Sequence, residues 1–271
     1  MDLAKRSRDT IGLLLALVAV AAAADDNDRW AEGRELFTAA YAAVESGAAA
    51  PRVSDPRVLR DYPLYPYLQR LRIARRLDEV GDKWSPTDDA ARKFVQRHAE
   101  EPVAEDLRDV WLETLARRSQ WQAFIEHYDT ATADTALHCD LFRARIALHD
   151  TAKLAPLVLE LWLTAERLPP ECEPAFQWLR DRGELSDALT AERARLLLEN
   201  GQTAFARVIA RRLPEATAKP LLQWADLLDH PQRTIDGVLA DPSLLEHTEP
   251  EALLASWTKL ARDNPPAALE R

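Results

Sequence analysis

The sequence predicts an all-α fold, an irregular superhelix of stacked helical hairpins. The helix formers Ala, Leu, Arg and Glu are abundant, whereas Gly, which the tight turns of sheets require, occurs only 7 times in 271 residues. Apolar residues recur at three- and four-residue steps almost everywhere after residue 28, and no segment keeps the period-two alternation of a strand. A chain of this length and ordinary composition can bury a hydrophobic core without bound metals or disulfide bonds.

The first 24 residues differ in composition and are predicted to be a cleaved signal peptide. Three basic residues within positions 5–8 precede an apolar run over 11–20, and alanines 21–24 fit a signal-peptidase site. The run is shorter than the roughly 20 residues that span a bilayer, so we expect export without stable membrane insertion. Residues 25–271 would then form the α-superhelical domain. The alternative is an uncleaved N-terminal anchor.

The charge of the chain argues against nucleic acid as a partner. The formal net charge is −10, and the first 24 residues carry three basic and two acidic side chains, so residues 25–271 carry −11. Nucleic-acid binding needs a basic face, and a membrane surface needs a basic amphipathic segment. Neither pattern occurs in the sequence.

The helices of the first half are predicted from apolar stripes and proline signals. The first ends at Gly47, and residues 51–66, which contain four prolines, are predicted as a bent connector. Pro66 fits the first turn of the next helix, where its missing N–H costs nothing. Two later helices are expected to start at Pro86 and Pro102.

Capping residues sharpen two of these boundaries. Ser85 is the predicted N-cap of the helix that starts at Pro86. Ser119 is expected to cap a short helix around Trp121. In the second half, Pro169 and Pro170 stop one helix. Further helices are predicted over 137–148, 154–163, 173–182 ended by Gly183, 187–199 ended by Gly201, 203–212, 217–229, 232–240 and 249–263.

Internal repeats are limited to two short segments with weak similarity to a known repeat unit. Residues 201–207 resemble the second half of a tetratricopeptide-like unit, and 183–189 are a looser version of it. No strict 34-residue period emerges, which favours an irregular superhelix. The alternative is a compact helical bundle.

No constellation of catalytic, cofactor-binding or metal-binding residues stands out. The six histidines lack metal-ligand spacing, and neither a G-x-S-x-G elbow nor a Gly-rich phosphate loop is present. The acidic pairs, such as Asp88-Asp89, are adjacent and cannot face one another on a helix; acidic residues near a helix start favour its dipole. Sugar stacking is an alternative for the tryptophans, but six of the eight lie in apolar stripes, which predicts packing: Trp111, Trp121, Trp162, Trp178, Trp224 and Trp257.

The two cysteines, Cys139 and Cys172, are predicted to form a disulfide, because two cysteines in an exported chain are more often paired than not. One alternative is a metal site with His138 and His149, which lacks the paired spacing of zinc sites. The other is a pair of unbonded thiols.

Several stretches resemble, in order and spacing, the helical N-terminal region of the periplasmic soluble lytic transglycosylases. They include Phe94-Val95, Leu115 to Arg118 with Trp121 just beyond, and Glu160 to Thr164, which contains Trp162. Cys139 and Cys172 occupy positions like those of a Cys pair in that region. The most specific stretch is residues 61–68, with Tyr62, Pro63, Leu64, Tyr65, Pro66 and Tyr67. The resemblance runs from about residue 30 to the end.

The resemblance implies a periplasmic protein that forms the first part of a longer, ring-shaped α-superhelix. No cofactor is expected, because no cofactor-binding constellation occurs in the sequence. In the family, a separate C-terminal domain with a goose-lysozyme-like fold cleaves the β-1,4 bond between N-acetylmuramic acid and N-acetylglucosamine in peptidoglycan. One Glu acts as acid and then base, and the product is a 1,6-anhydro sugar.

The sequence departs from the family at the catalytic motif. The family's catalytic Glu lies in a Glu-Ser pair, followed downstream by Gly-Leu-Met-Gln. The only Met here is Met1, and the one Glu-Ser pair, Glu45-Ser46, lies at a predicted helix end. No catalytic residue can be carried over, so the chain is predicted to be inactive alone and to act on peptidoglycan through a catalytic domain that it lacks, while the arm positions the enzyme on murein strands or docks periplasmic partner proteins.

Three hypotheses follow from the sequence. The first is a superhelical arm of a lytic transglycosylase, truncated before its catalytic domain. The second is a stand-alone periplasmic helical-repeat scaffold that binds other proteins. The third, a self-contained enzyme of another class, lacks a nucleophile, metal or cofactor constellation to support it.

Overall fold

The computed structural model describes residues 29–47 and 54–270, so the predicted signal peptide lies outside the described residues. Every regular element in these two ranges is a helix, and neither range contains a strand. The all-α prediction is therefore confirmed.

The helices fall into two compact units, which divide between Gln120 and Trp121. The helices of the first unit are α1 (Ala31–Glu45), α2 (Arg57–Arg60), α3 (Tyr65–Asp78), α4 (Pro86–Arg97) and α5 (Pro102–Arg117). The second unit contains α6 (Trp121–His127), α7 (Thr135–Ala147), α8 (Leu154–Trp162), a 3₁₀ turn (Pro170–Cys172), α9 (Glu173–Asp181), α10 (Asp187–Glu199), α11 (Thr203–Ala210), α12 (Glu215–Asp229), α13 (Pro231–Ala240), α14 (Pro242–Glu246), α15 (Pro250–Asp263) and α16 (Pro265–Leu269).

Helices within each unit pack mainly on their near neighbours along the chain. In the first unit, α3 contacts α1, α4 and α5. In the second, α12 contacts α10, α11, α13 and α15. Contacts of this local kind are typical of stacked helical hairpins, in which each pair buries its apolar face against the next.

The proline signals at these helix starts and the Ser85 cap are confirmed. Ser85 is the N-cap of α4, with Pro86 in the first turn and Asp88 completing a capping box. Pro102 begins α5, and Pro66 lies in the first turn of α3.

Two expectations are corrected. The connector predicted over 51–66 contains the short helix α2, because one helical turn fits between its prolines. Ser119 does not cap α6; it adopts a left-handed conformation with φ 57° at the end of α5. Its N–H donates to the carbonyl of Ala116, and the N–H of Gln120 donates to that of Leu115, which is the Schellman pattern of helix ends.

Tryptophans contribute the largest buried rings of both units. Trp111 in the first unit, and Trp162 and Trp224 in the second, are at most 2% exposed. Trp178 and Trp257 pack half-buried against the core of the second unit, and Trp121 is also half-buried. The predicted packing role is confirmed for these rings. Trp84, outside the predicted stripes, is exposed.

Candidate functional site

The motif at residues 61–68 joins α2 to α3 and holds α1 in place. The ring of Tyr62 lies 5.4 Å from Phe37 and 6.0 Å from Trp30, measured between centroids. Tyr62 also packs against Gly33, where an added Cβ would lie 3.1 Å from the Tyr62 ring. On the other side, Pro63, Leu64 and Tyr67 are exposed, whereas Pro66 is half-buried.

Tyr65 from the same motif belongs to a hydrogen-bonded cluster with Asp55 and Arg72. The Tyr65 hydroxyl donates to Asp55 Oδ2 at 2.8 Å, and Arg72 donates to both Asp55 oxygens, at 2.5 and 3.1 Å. The hydrogen bonds from Arg72 lower the pKa of Asp55, although burial opposes them. Burial and the Asp55 carboxylate raise the pKa of Tyr65. An ionised carboxylate that accepts this many hydrogen bonds stabilises the local structure and is a poor general acid.

A second cluster centres on Asp88, which is fully buried. Asp88 accepts hydrogen bonds from the backbone N–H and hydroxyl of Ser85, from Trp111 Nε1 at 3.0 Å and from two nitrogens of Arg118. Burial alone would raise the pKa of Asp88, but these hydrogen bonds outweigh it and the pKa is lowered. Sequence reasoning assigned Asp88 only a dipole role at a helix start. The Ser-x-x-Asp spacing of a capping box was the available signal.

The disulfide and Trp162 lie in the core of the second unit. Cys139 of α7 is bonded to Cys172 of the 3₁₀ turn, with Cα atoms 4.7 Å apart. Trp162 donates from Nε1 to the carbonyl of Leu189 at 3.3 Å and meets Phe176 edge-to-face at 4.8 Å. Both cysteines and Trp162 are buried, so these residues of the predicted motif set contribute to core packing.

Sequence reasoning missed Arg193 of α10, which is 1% exposed. Its guanidinium carbon lies 4.1 Å from the ring centroid of Trp162, 5.3 Å from that of Phe176 and 5.5 Å from that of Phe205. Burial lowers the pKa of Arg193 to about 10, with Glu173 opposing this shift and Arg212 adding to it. A single Arg in an apolar stripe carries no sequence signal for such an environment, because the rings come from three other helices.

The residues considered for catalysis or metal binding do not converge. Glu45 ends α1 and Ser46 follows as its C-cap, as predicted, and the Glu45 carbonyl accepts from Arg75 at 2.7 Å. His138 contacts the Tyr128 hydroxyl at 3.1 Å, and burial lowers its pKa, whereas His149 is exposed. Over residues 29–47 and 54–270, no group of three or more His, Cys, Asp or Glu side chains is placed to hold a metal ion.

Within the described parts of the chain, no helix is both long enough and apolar enough to cross a membrane.

Comparison with known proteins places part of this chain beside one enzyme family. No family model matches the sequence. The soluble lytic murein transglycosylases of Salmonella typhimurium and Escherichia coli are each 28% identical to it over 156 residues, which is 58% of this chain and 23% of each relative. The chain therefore spans about a quarter of the length of these curated relatives.

Solved structures match a larger share of the chain. An inactive mutant of the lytic transglycosylase Slt from Pseudomonas aeruginosa is 25% identical with a TM-score of 0.68, covering 87% of this chain and 37% of that one. The 70-kDa soluble lytic transglycosylase of Escherichia coli gives a TM-score of 0.67 at 21% identity over 88% of this chain and 37% of that one, which shows the shared fold. The resemblance to part of the soluble lytic transglycosylases is confirmed.

Proposed function

We propose that this chain is the superhelical arm of a peptidoglycan lytic transglycosylase. The arm supports an enzyme that cleaves the β-1,4 bond between N-acetylmuramic acid and N-acetylglucosamine and forms a 1,6-anhydro product. The catalytic domain of that enzyme lies outside this sequence, and the arm has no activity alone. The chain has none of the Gly-Leu-Met-Gln context of the catalytic Glu, because its only Met is Met1.

The observation that carries this proposal is the structural similarity to a lytic transglycosylase over 87% of the chain, at 25% identity and a TM-score of 0.68. The match takes in only 37% of that longer protein. The 156-residue sequence match to two curated murein transglycosylases supports the same assignment.

Localisation and domain limits belong to the same proposal. Residues 1–24 are a cleaved signal peptide, residues 25–271 are the helical domain, and the protein works in the periplasm. The order of basic, apolar and small residues in the first 24 positions supports export. N-terminal sequencing of the protein recovered from the periplasm tests the cleavage site. A first residue of Asp25 supports it, and an intact Met1 contradicts it.

A tagged native protein tests the enzymatic assignment. An affinity tag inserted after Asp26 at the chromosomal locus allows purification of the native product, which is incubated with murein sacculi. Mass spectrometry then measures 1,6-anhydro muropeptides. We expect release by the native product and none by recombinant residues 25–271. A native product that releases none, under conditions in which a known lytic transglycosylase does, contradicts the proposal.

The alternative is a stand-alone periplasmic helical-repeat scaffold that binds other proteins. One observation favours it: several large leucines of the last four helices are exposed, and such side chains in soluble proteins often mark contact surfaces. They are Leu239, Leu244, Leu245, Leu254 and Leu269. A tagged native product with no lytic activity, together with a protein that co-purifies in stoichiometric amount, would favour the scaffold over the arm.

A further inference from the structure

Two arginines of the second unit lie against one carboxylate, and a third interacts with this pair electrostatically. Arg180 donates from Nη2 to Glu173 Oε1 at 2.5 Å, and Arg212 Nη1 lies 3.6 Å from the same oxygen. Arg193 interacts electrostatically with both Glu173 and Arg212. The group therefore carries three positive charges and one negative charge, in a chain whose formal net charge is −10.

Several N–H groups of this cluster have no protein acceptor. Nε and Nη1 of Arg193, and Nη1 of Arg180, are enclosed and donate no hydrogen bond within the described residues. The other contacts of Arg180 go to Gln177 Oε1, from Nε at 3.0 Å and Nη2 at 2.9 Å. A buried guanidinium without an acceptor is costly, and the three aromatic rings around Arg193 offset only part of that cost.

The cluster is reachable from solvent at its outer edge. The side chains of Arg212 and Glu173 are 46% and 52% exposed, whereas Arg193 is 1% exposed. An incoming anion would first meet Arg212, and it would reach the enclosed N–H groups of Arg180 and Arg193 only after the side chains that cover them move, which adds to the cost of binding.

We propose that Arg180, Arg193 and Arg212 form an anion site that takes a carboxylate ligand. Glu173 already presents a carboxylate to two of these guanidinium groups, so the geometry suits that group. The planar fork of Arg matches two carboxylate oxygens. With Glu173 in place the cluster keeps a charge of +2, which a dicarboxylate would neutralise.

The proposal does not depend on the transglycosylase assignment. The carboxylate can come from two sources, a small free dicarboxylate or a peptide carried by murein, and the recognition chemistry is the same. The test therefore includes one probe for each source.

Calorimetric titration of residues 25–271 with succinate, with the soluble peptides that an amidase releases from murein, and with inorganic phosphate tests the site at constant ionic strength. Arg212→Ala and Arg180→Gln are compared with Arg211→Ala. Arg211 is the matched control, because it is an exposed arginine next to the cluster with no ion pair among the described residues. Circular dichroism and thermal unfolding establish that each variant is folded.

We expect succinate, the murein peptides or both to bind, and the affinity to fall at least about tenfold in Arg212→Ala and Arg180→Gln, because each loses a charge-assisted hydrogen bond. Arg211→Ala should bind within about twofold of the parent protein. Tighter binding of the peptides identifies murein as the source, and binding of succinate alone identifies a free dicarboxylate. Equal affinities in all three variants, absence of binding by both carboxylate probes, or preference for phosphate would overturn the proposal.

Discussion

At the scale of single residues, the most consequential contact is the buried ion pair of Asp88 with Arg118. Their side chains are 0% and 4% exposed, so neither charge can be hydrated if the other is lost. Arg118 also donates to the carbonyls of Gly81, Lys83 and Thr114, which ties the loop before α4 to the end of α5. The pair therefore fixes the relative position of two helices in the first unit.

Replacement of Asp88 by Asn should lower the free energy of unfolding by about 3–5 kcal/mol, because it leaves a buried guanidinium uncompensated. Asp89→Asn is the matched control. The Asp89 carboxylate bonds Arg92 but is 42% exposed, so its loss should cost less than about 1 kcal/mol. Urea unfolding measures both. Equal losses in the two variants would mean that the buried pair has no special role.

The pKa values of Asp55 and Asp88 are lowered in the folded state, which makes stability depend on pH. A carboxyl with a depressed folded pKa contributes stability that is fully present above its unfolded pKa, about 3.9, and is lost as pH falls through its folded pKa. The free energy of unfolding should therefore decrease once the pH falls below about 4. Urea titrations from pH 6 to 3 measure the slope, which should be shallower in Asp88→Asn. Parallel pH curves for the two proteins would contradict this assignment.

At the scale of elements, the helix ends follow one chemical rule with different residues. Gly183 and Gly201 end α9 and α10 in left-handed conformations, as predicted. Ser119 and His149 take the same conformation after α5 and α7, with φ of 57° and 58°. In each case an N–H bonds back across the last turn. The glycines were identified from sequence because Gly favours this conformation, and the other two were not, because Ser and His give no comparable signal.

Substitution of Ser119 or His149 by Gly should raise the free energy of unfolding by about 0.5–1 kcal/mol, since the strain of a Cβ at positive φ is removed. The reverse change, Gly183→Ala or Gly201→Ala, should lower it by about 1 kcal/mol. An added Cβ at either glycine meets no atom within 4 Å, so the backbone alone sets the effect. Thermal and urea unfolding measure the sign of the change in the free energy of unfolding for each variant. Stabilisation by the alanines would be the opposite of what the backbone geometry requires.

The disulfide between α7 and the 3₁₀ turn closes a loop across a sequence separation of 33 residues. Removing it with Cys139→Ala and Cys172→Ala together should cost about 2–4 kcal/mol. Thiol titration of the unfolded, unreduced protein should find no reactive thiol. Two reactive thiols in that titration would show that the bond does not form in solution.

At the scale of the whole molecule, the sequence was sufficient for the fold class and most helix limits. Predicted helix limits such as 187–199 match the structure, because the period of the apolar residues, the capping residues and the prolines all indicate the same helix ends. Short helices such as α14 and α16 were missed, because five residues are too few to show a period. The contacts of Asp88 with Trp111 and Arg118, and those of Arg193 with three aromatic rings, were missed for another reason: these partners are distant in sequence, and no single-sequence pattern records such contacts.

We propose that this chain is an arm of a longer catalytic polypeptide. The matched region makes up 23% of two curated murein transglycosylases and 37% of a solved one. The intact mass of the native protein, purified from the periplasm through the tag after Asp26, distinguishes this proposal from the stand-alone scaffold. We expect a mass far above that of tagged residues 25–271, because a catalytic domain would follow Arg271 in the longer polypeptide. A mass equal to that of tagged residues 25–271 would contradict it and leave the stand-alone scaffold.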